Sequence, residues 1–281
     1  MPDCLTAGVS LKPQHYAEAL AATADGLWFE VHPENYMDEG GQAADVLGQV
    51  AARHPVSLHG VALSLAADAA PDLDHLRRLR RLADRIEPVL MSEHLAWSMW
   101  RGAYHPDLLP FPRTLAALDR IADNIARSQD ALGRTIAIEN PTHYLRLDGH
   151  ELDELEFLTR LCERTGCGLL MDVNNVHISA SNLGFSAVAY IDAVPGELVR
   201  EVHLAGHRPD PEHGEALLID SHDAPVAESV WVLYERLLAR IGPVPTLLER
   251  DGEIPPFAEL LAERDRAHTA IMHHAPKRLA A

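Results

Sequence analysis

Eight short apolar runs, rich in β-branched residues, recur along this 281-residue chain, and each is followed by a longer polar or amphipathic segment. The runs are TAGVSL (6–11), GLWFEV (26–31), VSLHG (56–60), VLMSEH (89–94), TIAIEN (135–140), GLLMDV (168–173), REVHLA (200–205) and PTLLER (245–250). Helical periodicity is clearest over 75–86, 115–132, 153–165 and 228–242. Strands that alternate with helices predict a parallel sheet covered by helices. Eight strands favour a (β/α)8 TIM barrel over a doubly wound open sheet, and no GxGxxG follows the first strand.

The length suits one large α/β domain, and we assign residues 1–270 to a single barrel domain and 271–281 to a flexible tail. A hydrophobic content of 47% and a charged content of 23% are ordinary for a globular protein. We expect Cys4, Cys162 and Cys167 to be reduced, unreactive thiols, since their spacing fits neither a redox nor a zinc motif.

The formal net charge is −18, from 42 acidic and 24 basic residues, which disfavours nucleic acid as a partner because the two would repel. The densest basic run, HLRRLRRLADR (75–85), has the leucine spacing of a helix with a solvated basic face. The N-terminus lacks the basic and apolar regions of a signal peptide, and no segment is apolar enough to span a membrane. The sequence therefore predicts a cytoplasmic protein that binds no membrane.

Side chains that can bind metals recur where six successive predicted strands end. They are His59 on the third strand, Glu93 and His94 on the fourth, Glu139 and Asn140 on the fifth, Asp172 on the sixth with Asn174 and Asn175 beyond it, His203 on the seventh, and Glu249 on the eighth, with Asp220 and His222 shortly before that strand. In a barrel these strand ends meet at one mouth. Several buried carboxylates need compensation, and imidazole with carboxylate suits Zn, Mn or Fe(II). The ligands outnumber those of one ion, so we expect two or three ions, with Glu139 as a bridge.

Each motif alone has an ordinary structural explanation. LHG is compatible with a turn, and DSHD (220–223) is compatible with a helix N-cap. We expect His207, His213, His273 and His274, which lie in predicted loops or the tail, to be solvated. The metal prediction rests on the recurrence of potential ligands at the carboxyl ends of six strands.

A set of motifs resembles the DUF692 (UPF0276) family of multinuclear non-haem iron-dependent oxidative enzymes (MNIO), in the xylose-isomerase-like barrel superfamily. The motifs span roughly 8–265 and are GVSLKP (8–13), WFEVHPENYM (28–37), LHGVALSL (58–65), SEHLAWS (92–98), AIENPTHY (137–144), MDVNNVH (171–177), VHLAGH (202–207), DSHDAPV (220–226) and LLERDGEIP (247–255). The ligand order is also similar to that of the trinuclear zinc endonuclease IV. That nuclease has a histidine three residues after the sixth-strand aspartate, where this chain has Asn175.

The family resemblance implies two or three iron ions, dioxygen as co-substrate, and oxidation of cysteine residues in a ribosomally synthesised (RiPP) precursor peptide, commonly with a partner protein that binds the leader. The ligands that it implies are His59, His94, Glu139, Asp172, Asn174, His203, Asp220, His222 and Glu249, and of these we expect His59, Glu139 and Asp220 to be catalytic. Candidates for substrate binding or for supporting the ligands are Glu34, Asn35, Glu93, Asn140, Asn175, His177 and Arg250.

Three alternatives remain open from the sequence. A phosphodiesterase or endonuclease IV-like hydrolase and a sugar isomerase would use the same metal-bearing barrel, and a non-enzymatic metal-binding protein would need no chemistry. The net charge and Asn175 disfavour the nuclease. Whether Asn174 or Asn175 is a metal ligand is also open, because the nuclease and oxidase patterns differ there.

Overall fold

The computed structural model describes residues 5–38 and 40–275. Its strands are β1 (Ala7–Ser10), β2 (Phe29–Val31), β3 (Val56–Gly60), β4 (Leu90–His94), β5 (Trp97–Trp100), β6 (Ala103–Leu109), β7 (Ala137–Glu139), β8 (Gly168–Asp172), β9 (Val199–Ala205), β10 (Arg208–Asp210), β11 (Gly214–Ile219) and β12 (Thr246–Glu249). Its α-helices are α1 (Tyr16–Ala21), α2 (Gln42–Ala51), α3 (Leu73–Ile86), α4 (Leu115–Leu132), α5 (Glu154–Thr165), α6 (Val173–Leu183), α7 (Ala187–Ala193), α8 (Glu228–Ile241) and α9 (Phe257–His274).

Eight parallel strands close into a barrel in the order β1-β12-β9-β8-β7-β4-β3-β2. The predicted (β/α)8 TIM barrel is therefore confirmed. All eight predicted strands are present, and no end differs by more than three residues from the predicted one. Among the described residues, no helix is long and apolar enough to cross a membrane.

The four predicted helices are also present, and their ends follow from local chemistry. Thr114 caps α4 by accepting the N–H of Ala117, and Asp153 caps α5 by accepting the N–H of Glu156. Both helices end at a glycine in the left-handed region, which a residue with a Cβ adopts at a cost. The basic run forms α3 with its leucines buried and its arginines exposed, as predicted.

Several elements were not predicted. Two antiparallel hairpins, β5–β6 and β10–β11, follow the fourth and seventh barrel strands, respectively. Helix α6 starts at Val173, directly after the sixth barrel strand, and α9 continues to His274, past the predicted domain limit at 270. His273 and His274 thus belong to a helix end rather than to a tail, although His273 is exposed.

Cys162 and Cys167 are buried against each other with their sulfur atoms 3.7 Å apart. Both lie near the amino end of β8, away from the strand ends that form the mouth. Cys4 and residues 276–281 fall outside the described residues.

Strand register fixes the level of the mouth. His94 on β4 pairs with Glu139 on β7, and Asp172 on β8 pairs with His203 on β9. Paired residues of neighbouring parallel strands lie at the same height, so these four side chains reach the carboxyl end of the barrel together. Active sites of TIM barrels form at this end.

Candidate metal centre

Eight imidazole and carboxylate side chains gather at the carboxyl end of the barrel. We call them the mouth cluster: His59, His94, Glu139, Asp172, His203, Asp220, His222 and Glu249. Five overlapping groups of three potential ligand atoms, each within 4.8 Å of one another, occur in and beside this cluster. The structure therefore brings together every imidazole and carboxylate ligand predicted from the sequence.

His59, His94 and Glu139 form the tightest group. Glu139 Oε2 lies 3.2 Å from Nε2 of His59 and 3.2 Å from Nε2 of His94, and the two Nε2 atoms are 3.4 Å apart. Glu139 and His59 are buried, and His94 is partly exposed. Three ligand atoms thus converge from β3, β4 and β7.

The other ring nitrogen of each imidazole is already engaged. His94 Nδ1 lies 2.9 Å from the carbonyl oxygen of Gly60, which can only accept, so Nδ1 carries the hydrogen. His59 Nδ1 lies 2.8 Å from Ser92 Oγ. Burial lowers the pKa of both imidazoles, which favours their neutral form. Neutral His94 then turns a bare lone pair toward Glu139 Oε2, which is buried without a hydrogen-bond partner. Two acceptors that face each other in a buried site need either a proton or a metal cation between them, and the additional ligand atoms nearby suit a metal cation.

A second set of ligands continues from Glu139 across the mouth. Glu139, Asp172 and His203 form one buried group, and Asp172, His222 and Glu249 form the next. Glu249 Oε2 lies 3.3 Å from His203 Nδ1 and 3.5 Å from His222 Nδ1. The shared Glu139 and Asp172 link the groups, which is the arrangement expected for carboxylates that bridge neighbouring ions.

The outer end of the cluster is formed by Asp220 and His222, which follow the β10–β11 hairpin. Asp220 Oδ1 lies 2.8 Å from His222 Nε2. Both side chains are partly exposed, with 18% and 17% of the side-chain surface accessible. His222 has a φ of 49°, a left-handed conformation that costs free energy for a residue with a Cβ, and strained backbone of this kind is common at functional sites.

The protonation preferences of the cluster reflect an excess of buried negative charge. The pKa of Glu139 is raised to about 8, chiefly by burial, with the carboxylates of Glu249 and Asp220 adding to the rise and His203 opposing it. Burial and the carboxylate of Glu139 also raise the pKa of Asp172 well above its usual range. Burial alone would lower the pKa of His222, but the carboxylates of Asp220 and Glu249 raise it well above normal. Cations would replace these protons and relieve the repulsion.

Three asparagines and a threonine hold the carboxylates in place. Asn140 exchanges two hydrogen bonds with the backbone of Asp172, at 2.8 and 3.0 Å. Asn175 donates to Glu139 Oε1 at 3.2 Å and accepts from the Thr142 hydroxyl. Asn174 donates to Asp220 Oδ1 at 2.9 Å, and its own oxygen lies 2.7 Å from His207 Nδ1. Both consecutive asparagines of MDVNN therefore reach the site, and each has its side-chain oxygen engaged.

His207 corrects one prediction. It was expected to be solvated, but it is half-buried, because Nδ1 is hydrogen-bonded to Asn174 and its ring packs against His177 at 4.9 Å between centroids. His213, in contrast, is exposed in the turn between β10 and β11, as predicted.

The predicted supporting residues fall into two groups. Asn140 and Asn175 contact the mouth cluster directly, and Asn35 lines the cavity next to it. The other four have partners outside the mouth cluster. Glu34 accepts the N–H of Val61 at 3.1 Å, and Glu93 is buried beneath Gly60. His177 lies 3.2 Å from Ser229 of α8, and Arg250 is paired with Glu263 of α9 at 3.2 Å. For these four, a role in substrate binding or in support of the ligands stays a prediction.

Glu30, His32 and Asp251 belong to the site but were missed from the sequence. Glu30 on β2 lies 3.3 Å from His203 Nε2, on the opposite edge of the ring from Glu249. His32, Glu249 and Asp251 form another possible ligand group. The available signal was the rule already applied to six strands, since Glu30 and His32 stand at the end of the second predicted strand. Glu201, fully buried two residues before His203, completes the carboxylate environment beneath that ring.

A cavity of about 240 Å³ opens beside the cluster at the ends of β1 and β2. Glu30 and Glu249 form its inner wall, and Lys12, His32 and Asn35 are among its remaining polar residues. A substrate group could therefore approach the ligands from this side.

Comparison with known proteins identifies the family of this chain. The sequence model of the family described as "RiPP precursor modification enzyme MbnB/TglH/ChrH" matches residues 6–272. The chain belongs to this family. It is 64% identical to a UPF0276 protein of Caulobacter vibrioides over 262 residues, 93% of each chain. It is 51% identical to a UPF0276 protein of Bordetella bronchiseptica over 266 residues, 94% of this chain and 92% of the relative. The predicted DUF692/UPF0276 membership is confirmed.

Solved structures with the same fold are more distant in sequence. A xylose isomerase domain protein from Planctomyces limnophilus superposes with a TM-score of 0.59 at 12% identity, covering 97% of this chain and all of that one. Endonuclease IV from Thermus thermophilus superposes with a TM-score of 0.56 at 16% identity, covering 96% of this chain and all of that one. These similarities confirm the xylose-isomerase-like barrel and, at such low identity, establish the fold alone.

Proposed function

We propose that this member of the RiPP-modifying family holds two or three iron ions in the mouth cluster and uses dioxygen to oxidise cysteine residues of a precursor peptide. The family supports a peptide substrate, and the ligand groups support several metal ions. The observation that carries the metal assignment is the convergence of Glu139 Oε2 with the Nε2 atoms of His59 and His94, three atoms that can all bind one cation and of which Glu139 Oε2 is buried without a hydrogen-bond partner.

The donor set fits iron. Imidazole nitrogen and carboxylate oxygen are ligands that iron(II) accepts, and the described cysteines lie away from the cluster. The buried, unpartnered atoms Glu139 Oε2 and Asp172 Oδ2 would both gain a partner. By the family resemblance, Asn174 would be a further ligand once its contact with His207 is exchanged. Bound iron would supply the redox chemistry, with removal of electrons and hydrogen from the peptide balanced by reduction of dioxygen toward water.

The protein's own side chains have separable roles in this proposal. Glu139 spans both ligand groups and would keep adjacent ions together, since its oxygens face His59 and His94 on one side and Asn175 on the other. Asp220, partly exposed at the outer end of the cluster, is the carboxylate placed to take a proton from an incoming thiol. A partner protein that binds the leader segment is also part of the proposal, by resemblance to the family.

The identity of the bound metal tests the iron assignment on which the proposal depends. We expect protein purified without oxygen to contain iron, at more than one ion per chain, by elemental analysis. Zinc competes strongly for such ligands by the Irving–Williams order, so metal-free protein should also be reconstituted with each ion separately. Zinc as the sole metal, together with activity that survives removal of iron, would rule out the oxidase.

A hydrolase of the endonuclease IV type is the second candidate, because the ligand groups suit it as well. This chain differs from the nuclease pattern at Asn175, which stands where the nuclease has a histidine. The side-chain amide of Asn175 is hydrogen-bonded to Glu139 and Thr142. With a net charge of −18, the protein should show no measurable affinity for duplex DNA at moderate salt. Tight DNA binding with a steep salt dependence, or cleavage of a duplex with an abasic site, would favour the hydrolase.

A further inference from the structure

A second, larger cavity lies outside the mouth cluster and is not used by the proposed chemistry. Its volume is about 410 Å³, within the range of small-molecule and side-chain binding sites. Its walls come from three connections at the carboxyl end of the barrel: residues 110–113 before α4, 143–155 between β7 and α5, and 183–193 across α6 and α7. The cavity therefore opens on the same face of the barrel as the metal site.

One chain segment connects this cavity with the mouth cluster. Thr142 Oγ1 lies 3.0 Å from Asp220 Oδ2, and the hydroxyl of Tyr144 accepts the N–H of Asp220 at 3.1 Å. The next residues, Leu145 and Arg146, line the cavity. Three residues of extended chain cover at most about 11 Å, so Leu145 lies within that distance of Thr142. A peptide whose reactive residue sits at Asp220 would reach the cavity with a residue only a few positions away.

The cavity combines an apolar lining with two arginines that have no carboxylate at ion-pair distance among the described residues. Phe111, Leu145 and Phe185 are among its apolar walls, and Leu145 and Phe185 are 53% and 37% exposed. Arg146 donates to the carbonyl of Leu183 at 2.9 Å, and Arg113 contacts the carbonyl of Leu152 at 3.4 Å. Within residues 5–38 and 40–275, neither guanidinium has a carboxylate within ion-pair distance.

The acidic groups in the cavity wall are already engaged. Glu154 lies 2.8 Å from His143 Nε2 and accepts from the hydroxyl of Tyr190 at 3.2 Å. Asp153 caps α5 through the N–H of Glu156. The pKa of His150 is lowered first by burial and then by the charge of Arg113, while Glu154 opposes the shift and His143 and Arg146 add to it. The two guanidiniums contact backbone carbonyls, which leaves them able to pair with the carboxylate of a ligand.

We propose that this cavity binds an apolar side chain, with a carboxylate beside it, from the same precursor peptide that the mouth cluster modifies. The apolar walls would take the side chain, and Arg146 and Arg113 would pair with the carboxylate. The inference rests on the proposed function for the identity of the ligand, and it predicts that an acidic–apolar pair stands a few residues from the modified cysteine.

A direct binding test uses N-acetyl-phenylalanine, which carries a carboxylate, and its neutral amide as probes of the metal-loaded protein. We expect the acid to bind about tenfold more tightly than the amide in ligand-observed NMR titrations, as for one charge-assisted hydrogen bond. Arg146→Glu should abolish this preference. Arg53→Glu is the matched control, because Arg53 is also exposed and also donates to a backbone carbonyl, that of Gln49. Equal binding of the two probes, or a preference that survives Arg146→Glu, would overturn the assignment.

A steric variant locates the probe. Ala193 lines the cavity at the end of α7, so Ala193→Trp should block both probes. Ala189→Trp, at an exposed position of the same helix outside the lining, should block neither. Probe binding that is unchanged by Ala193→Trp would place the probe elsewhere and contradict the proposal.

Peptide oxidation separates the two proposals. If no cysteine peptide is oxidised in the presence of iron and dioxygen but the acid probe binds as described, the proposed function fails and the cavity assignment stands. If peptides are oxidised and Arg146→Glu changes neither their KM nor probe binding, the cavity assignment fails and the function stands.

Discussion

The carboxylate of Asp172 has two different environments. Its Oδ1 accepts the backbone N–H of Asn175 at 2.6 Å and so caps α6, while its Oδ2 is buried without a hydrogen-bond partner. The strand β8 ends at this residue and the helix begins at the next, so the cap fixes the carboxylate at the mouth. One side chain thereby ends a strand, starts a helix and presents a potential metal ligand.

Asp172→Asn should separate these two roles. Asparagine caps helices about as well as aspartate, so we expect the free energy of unfolding of the metal-free protein to change by less than about 1 kcal/mol. The loss of the anionic ligand should remove at least one metal ion per chain, measured by elemental analysis beside thermal unfolding. Asp153→Asn, at the cap of α5 outside the cluster, is the matched control and should leave metal content intact. Full metal loading of Asp172→Asn would contradict the assignment.

Glu139→Gln tests the bridging carboxylate. Glutamine keeps the size of the side chain but loses the charge that would hold two neighbouring cations together. Because the barrel core lies below the mouth, the circular dichroism spectrum should be unchanged, whereas iron content should fall and peptide oxidation should be lost. His213→Ala, at an exposed turn, should change neither. A Glu139→Gln protein that retains all its iron and oxidises the peptide normally would show that the end of β7 is wrongly assigned.

Glu30 should act through His203. With Glu249 on Nδ1 and Glu30 on Nε2, the ring is held from both edges, and a metal-binding imidazole normally donates its second N–H to such a group. We expect Glu30→Ala to weaken metal affinity by about 10- to 100-fold, and Glu30→Gln, which keeps an acceptor oxygen, to restore most of it. Visible absorption of the Co²⁺-substituted protein reports the ligand environment. An unchanged Co²⁺ spectrum and affinity in Glu30→Ala would remove Glu30 from the site.

The metal-free protein should lose stability as pH rises above neutrality. Glu139 and Glu201 both have pKa values raised to about 8, so between about 4.5 and 8 the folded state binds more protons than the unfolded state. The free energy of unfolding therefore falls across this interval. His59 and His94 have lowered pKa values, so their effect is to increase the free energy of unfolding as pH rises. This opposing effect ends near their normal pKa of about 6.5.

Thermal unfolding at pH 7, 8 and 9, with and without metal, measures this effect. We expect Tm of the metal-free protein to decrease from pH 7 to pH 9 and the metal-loaded protein to show a smaller decrease, because cations replace the protons. Metal binding at pH 7 should also release protons, detected by calorimetry in buffers of different ionisation enthalpy. A metal-free Tm that rises over this range would show that these carboxylates are ionised without metal.

The fold and most of the mouth cluster could be predicted because both depend on local patterns. The length of the apolar runs and their alternation with helical segments identify the strands. Candidate ligands such as Glu139 and His203 stand on strands near the carboxyl end, and their convergence follows from the barrel. The hairpins could not be predicted, since their short strands lie outside the barrel and lack a buried face with clear alternation. His207 was misjudged because its burial depends on Asn174, a contact between two separate connections. Glu30 was within reach of the same strand-end rule but was not included.

The central claim is that the mouth cluster holds iron that oxidises a cysteine peptide with dioxygen. The most direct measurement is the mass of a cysteine-containing precursor peptide after incubation with iron-loaded protein, with and without dioxygen, beside zinc-loaded protein and Glu139→Gln. We predict a mass change at cysteine that requires iron and dioxygen together and is absent with zinc or with Glu139→Gln. An unmodified peptide under all conditions, or a mass change that proceeds equally with zinc and without dioxygen, would contradict the account.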